Sequence, residues 1–190
     1  MRKFSDLIST LDQIKISASN RQYSKVSELV KTAKELIFYF QEYREVPQIE
    51  EVLSDHAKII STLQLQIKDE FSLLLKGMST QSDEVIKEAA MLGEVLGREF
   101  LDGIVKIVIS IFTTEYKDTF DSGRDSSLSN IEKKFVWFSR EIVDFRKKYL
   151  KYFPHHWGIL CYIANEVCSL ICVSTSEALF SLFYYKKKRS

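Results

Sequence analysis

Apolar residues recur along this chain at alternating intervals of three and four. One series runs from Tyr23 through Val26, Leu29, Val30, Ala33, Leu36 and Ile37 to Phe40. A second runs from Ile49 through Val52, Leu53, His56, Ile59, Ile60, Leu63, Ile67 and Phe71 to Leu74. A third joins Ile131, Phe135, Phe138, Ile142, Phe145, Tyr149 and Phe153. At 3.6 residues per turn each series lines one helix face and leaves charged residues on the other. A strand would need apolar residues at every second position, and no such alternation is sustained. Doubled positions such as Leu29-Val30 and Ile59-Ile60 widen the stripes beyond a two-stranded seam, which suits packing within a bundle. Coiled-coil pairing of residues 1–76 with another chain stays open.

The punctuation between the stripes predicts where helices start and stop. Pro47 suits the first turn of a helix, with Glu50 and Glu51 near the positive end of its dipole. Gly77 ends that helix, and Ser82-Asp83-Glu84 caps the next. Residues 121–127 form the one long polar linker, and Ser129 with Glu132 fits a capping box. These signals predict helices near 3–18, 21–44, 48–76, 82–95, 98–120 and 129–152, and a last one from 156 through 170 towards 182. Short connections make neighbours antiparallel, so the expected fold is all-α, an elongated stack of antiparallel helices.

Composition sharpens this picture by exclusion. The 190 residues include only 6 Gly and 2 Pro, too little turn chemistry for an all-β sandwich. With 45% hydrophobic and 28% charged residues, the chain has the makings of a core. The net charge of +1 favours no partner, but its distribution is lopsided. Residues 1–132 carry 16 basic and 22 acidic side chains, a net of −6, whereas residues 133–190 carry 11 and 4, a net of +7. No run of about 18 apolar residues is uninterrupted, since Trp157–Val173 contains Asn165 and Glu166. With no signal peptide behind Met1 and an odd set of cysteines, the expectation is a soluble, reduced, intracellular chain.

Candidate chemistry is sparse. His155 and His156 lie near Cys161, Cys168 and Cys172, but without the paired spacing of a zinc site. Buried free cysteine acting as a small hydrophobe is the commoner case. His56 sits on an apolar stripe, where a core or margin histidine is the better reading than a catalytic base. Gly93, Gly97 and Gly103 follow no strand and make no nucleotide fingerprint. No catalytic, metal or cofactor residue is therefore assigned, and no enzyme is expected. The basic residues Lys133, Lys134, Arg140, Arg146, Lys147, Lys148 and Lys151 interleave with aromatics, as in some nucleic-acid surfaces. Phe135, Phe138 and Phe145 fall on the expected buried stripe, which leaves few rings for bases, so nucleic acid is not expected. An anionic membrane surface or an acidic protein suits these cations at least as well. The basic end at 186–189 has the form of a dilysine signal, though a solvated charged end is the simpler reading.

Particular words of the sequence then carry a resemblance. Lys133-Lys134-Phe135-Val136-Trp137-Phe138-Ser139-Arg140 is followed by Tyr149, Phe153-Pro154 and Trp157. Upstream stand Arg21-Gln22-Tyr23, Val46-Pro47-Gln48-Ile49 and Leu96-Gly97-Arg98. In order and spacing these segments resemble the vacuolar protein sorting-associated protein 53 family over roughly residues 5–170. The resemblance implies a helical, non-catalytic subunit of a vesicle-tethering complex, the Golgi-associated retrograde protein (GARP) complex or its endosomal recycling variant. Its implied partners are vacuolar protein sorting-associated proteins 51, 52 and 54, or the endosomal counterpart of the last, with SNAREs and small GTPases engaged indirectly. The implied location is the cytosolic face of the trans-Golgi network and endosomes, with peripheral membrane contact, in retrograde transport from endosomes to the Golgi. The organisation expected is a tether-subunit region over 1–170 and a divergent basic tail over 171–190, in a truncated or alternatively ended product that lacks the family's preceding coiled coil. Trp137, Arg140, Tyr149, Phe153, Pro154 and Trp157 form the structural signature. The expectation is that the two tryptophans lock adjacent helices around the Phe153-Pro154 corner, with Arg140 and the basic face offered to a partner or lipid. The alternative from a different class is a basic helical module that binds anionic lipid or nucleic acid.

Overall fold

A computed structural model describes residues 2–120 and 131–187, with side chains of the last helix described through Ser176. Seven α-helices occur among them, and no strand: α1 (Arg2–Ser19), α2 (Tyr23–Phe40), α3 (Pro47–Leu75), α4 (Asp83–Leu96), α5 (Arg98–Phe120), α6 (Ile131–Lys148) and α7 (Ile159–Lys187). The all-α expectation holds. The linker at 121–127 and the Ser129 cap lie outside the described residues. The chain divides into two compact units, Met1–Ile104 and Val105–Ser190.

In the first unit, α1 packs on α2 and α3, and α4 packs on α2 and α3. Its core takes Leu7 and Ile14 from α1, Tyr23, Val26 and Val30 from α2, Leu63, Ile67 and Phe71 from α3, and Ile86 and Leu92 from α4. Burying each such side chain contributes about 1.5–3 kcal/mol. The stripe of α3 is unevenly used: its buried residues begin at Leu63, and Ile49, Val52, Leu53, Ile59 and Ile60 are only half-buried.

The helix ends follow from local chemistry. Pro47 occupies the first turn of α3, and the Ser82 side chain accepts from the Val85 N–H at the start of α4. Gly77 ends α3 at φ +70°, with Met78 N–H donating to Leu73 O and Gly77 N–H to Leu74 O. That pair of bonds is a Schellman motif, whose left-handed position glycine fills without steric cost. The same two bonds close α1, where Gln22 N–H donates to Ser17 O and Arg21 N–H to Ala18 O. Here the left-handed residue is Arg21, at φ +54°.

Gly97 separates α4 from α5 at φ +108° and ψ 174°, a conformation open almost only to glycine. A Cβ there would meet nothing within 4 Å. Gly97→Ala should therefore cost backbone strain alone, about 1–3 kcal/mol, read as a lower urea midpoint. An unchanged midpoint would show that the corner relaxes freely.

The second unit is built on the rest of α5 with α6 and α7. Its core holds Val108, Phe112 and Tyr116, then Trp137 and Phe145, then Phe153 and Trp157, then Ile159, Ile163, Val167 and Ile171. The stretch expected as helix to 152 stops at Lys148 and tightens into a 3₁₀ turn at Leu150–Tyr152. Likewise the stretch expected to 44 stops at Phe40 and continues as a 3₁₀ turn over Gln41–Tyr43. Helix α7 runs unbroken across 170–171, so no element boundary falls there.

Candidate functional site

Phe153 precedes proline and is extended, at φ −106° and ψ 131°, as the clash with the Pro154 ring requires. A 3₁₀ turn at His155–Trp157 and a left-handed Gly158 then redirect the chain into α7. This corner brings aromatic rings into a series. Trp157 lies 5.9 Å from Phe153, Phe153 stacks on Phe145 at 6.2 Å, and Phe145 meets Phe112 edge-on at 5.4 Å. Half-buried Tyr149 lies 5.6 Å from Phe145. Trp137 instead stands edge-on to Tyr116 and Phe120, at 5.8 Å from each ring. Trp137 thus meets rings of α5, and Trp157 meets the ring at the corner. Phe153, Pro154 and Trp157 make the corner, while Trp137 fastens α6 to α5.

The basic residues divide by what each touches. Lys134 turns inward: it donates to Ser174 Oγ at 2.8 Å and lies 5.7 Å from the Tyr116 ring. Lys151 sits over the Tyr152 ring at 4.8 Å. Lys148 faces Glu115, whose carboxyl is held above the usual range by burial and then by Glu141, with Lys148 opposing. Arg140 donates from Nε and Nη2 to Glu141 Oε1 but stays largely exposed. Lys133, Arg146 and Lys147 are exposed.

Two expectations about this region are corrected. Phe135, placed on the buried stripe, is 45% exposed, because the inward face of α6 is centred on Trp137 and Phe145. Cys161 and Cys172 are exposed and Cys168 half-buried, because Ile159, Ile163, Val167 and Ile171 take the inward face of α7 at intervals of four. Among the described residues, no group of three or more His, Cys, Asp or Glu side chains is placed to hold a metal ion. The segment His155–Ser176 is long and apolar enough to cross a membrane by length and composition, since averaging forgives the Asn165-Glu166 interruption.

Sequence reasoning missed a polar lock in the first unit. Arg21 Nε donates to Glu70 Oε1 at 2.8 Å, and Glu70 is 5% exposed. Gln66 Nε2 donates to the Tyr23 hydroxyl at 2.9 Å and to Ala18 O at 3.1 Å. Burial pushes the Tyr23 phenol up, and the Glu70 carboxylate beside it adds to the push. The signal was present: Glu70 lies three residues after Ile67, on the apolar stripe of α3.

His56 lines a cleft of about 450 Å³ with Ile37, Arg44, Glu50, Leu53 and Ser54. Its Nε2 is buried without a hydrogen-bond partner among the described residues. Burial, and then the Lys34 ammonium, hold its pKa below the ordinary imidazole value. The unfolded chain takes up a proton below about pH 6.5 while folded His56 stays neutral. The stability contributed is present above that pH and is lost as pH falls through it, levelling off below the folded pKa. His56→Gln should flatten the fall in melting temperature from about pH 7 to 5. Equal slopes for both proteins would contradict this.

The family described as Vps53, N-terminal, matches residues 1–190, so the matched span includes 171–190. The chain is 22% identical over 192 residues to vacuolar protein sorting-associated protein 53 A of Arabidopsis thaliana, covering 100% of this chain and 23% of that protein. It is 20% identical over 185 residues to the vacuolar protein sorting-associated protein 53 homolog of Caenorhabditis elegans, covering 96% of this chain and 22% of that protein. The chain therefore spans under a quarter of the length of these relatives. No solved structure matches it. With all 190 residues matched, the chain belongs to the Vps53 N-terminal family.

Proposed function

We propose that this chain serves as the N-terminal helical part of a non-catalytic subunit in a vesicle-tethering complex of the GARP type. The observation that carries the reading is the family match over residues 1–190. In this role the protein acts in retrograde transport from endosomes to the trans-Golgi network, on the cytosolic face of both membranes. Its partners are vacuolar protein sorting-associated proteins 51, 52 and 54, or the endosomal counterpart of the last, with SNAREs and small GTPases reached through the assembled complex. The aromatic corner and the Arg21–Glu70 lock support the reading as devices that hold helices in fixed register, which suits a scaffold.

The test is affinity purification of the tagged chain from its own cells at moderate salt, followed by mass spectrometry. Recovery of the sister subunits is the expected result. Recovery of chaperones alone would overturn the proposal that this segment joins the complex.

A further inference from the structure

The outward face of α6 has an order that its inward packing does not require. On a helix advancing 100° per residue, Val136 and Val143 share one line, seven residues apart. Lys133, Arg140 and Lys147 form a parallel line beside them, also at intervals of seven. All five lie within an arc of about 80°, the valine line turned farthest from the inward Trp137 and Phe145 and the cation line between the valines and Trp137. Val136 is 65% exposed and Val143 46% exposed, and the three cations are exposed as well. Phe135, on the other flank, extends the apolar surface. A heptad row of valines with a heptad row of cations at its edge is half of a helix–helix seam.

We propose that this face of α6 docks an acidic amphipathic helix of a partner protein. The inference deepens the tethering reading and rests on it, since it names the chemistry of one partner contact. Charge complementarity fixes the occupant. The partner helix lays an apolar row on Val136 and Val143 and sets carboxylates against Lys133, Arg140 and Lys147. A bilayer fits the face less well. Membrane-surface helices bury a broad face of large apolar side chains, whereas the line here is one valine wide and two long. A bilayer also has no seven-residue period to match. The cations from Lys133 to Lys147 span about 21 Å of helix, the length of two heptads, so a three-heptad partner helix covers all of them.

The test titrates the purified chain with a labelled three-heptad helical peptide that has leucine along its seam and glutamate on both flanks. A lysine-flanked version and phosphatidylserine-containing vesicles are run beside it. Saturable binding of the glutamate peptide is expected, weakened about tenfold by Val136→Ser with Val143→Ser. Reversing Lys133, Arg140 and Lys147 to glutamate should abolish that binding and create affinity for the lysine peptide. These positions are exposed, so the variants should melt like the parent. Absence of peptide binding overturns the proposal, as does binding that ignores the valines or survives charge reversal. Vesicle binding in place of peptide binding overturns it in favour of lipid. Co-purification of sister subunits is read separately, so a failed docking face and a failed tethering assignment give different results.

Discussion

Replacing Trp157 with alanine lowers the melting temperature of the chain by about 10 °C. Trp157 is 7% exposed and touches Phe153, which in turn stacks on Phe145. Truncation removes one ring of that series and leaves a cavity that the corner cannot close, because Pro154 fixes the backbone next to it. Loss of a buried tryptophan to alanine costs about 3–5 kcal/mol. Val173→Ser, at a position 54% exposed on α7, should move the midpoint by less than about 0.5 kcal/mol. Near-equal midpoints for the two variants would mean that Trp157 lies at the rim of the unit's packing and not within it.

Arg21 gives the second large effect, through a comparison of three variants. Its side chain compensates Glu70, a carboxylate 5% exposed, while its backbone occupies a left-handed position that disfavours any side chain. Arg21→Ala keeps the backbone penalty and strands the carboxylate. Because the Arg21 side chain is itself 46% exposed, water replaces part of what is lost, so the expected cost is about 2–3 kcal/mol. Arg21→Gly loses the same ion pair but relieves the backbone, and should be about 1 kcal/mol less harmful. Arg21→Gly combined with Glu70→Gln should recover much of the remainder, since no charge is then left buried. Urea unfolding of the three variants reads these differences directly. Equal losses for alanine and glycine would show that the turn carries no strain.

The helices were legible in the sequence because apolar spacing and end chemistry spoke independently and agreed. Pro47, Gly77 and Ser82 did what their side chains and backbones dictate. What periodicity could not decide was the centre of a wide stripe. Phe135, Trp137, Phe138 and Phe145 cover more of α6 than one face, so the inward direction depended on which rings Tyr116, Phe120 and Phe112 could meet. Helix α7 is apolar nearly all round, and its cysteines could not be oriented until the isoleucines had claimed one side. The Arg21–Glu70 pair escaped for a different cause. Its members are 49 positions apart, and only tertiary packing sets them 2.8 Å from each other. Reading Glu70 as a charge placed on an apolar line would have pointed to a buried partner, though not to which one. The candidate surface was half legible: the cations were plain in the sequence, but which ones face outward was not.

The uneven support under α3 has a consequence for its motion. By backbone it is one helix from Pro47 to Leu75, yet its fully buried side chains all lie at or beyond Leu63. The first half therefore has little tertiary packing to lose when its backbone bonds open, whereas the second half cannot open without disturbing Ile67 and Phe71 in the core. Amide hydrogens should exchange with solvent faster over 47–62 than over 63–75. A single continuous helix would then behave as two cooperative pieces, an anchored stem and an arm that breathes on its own.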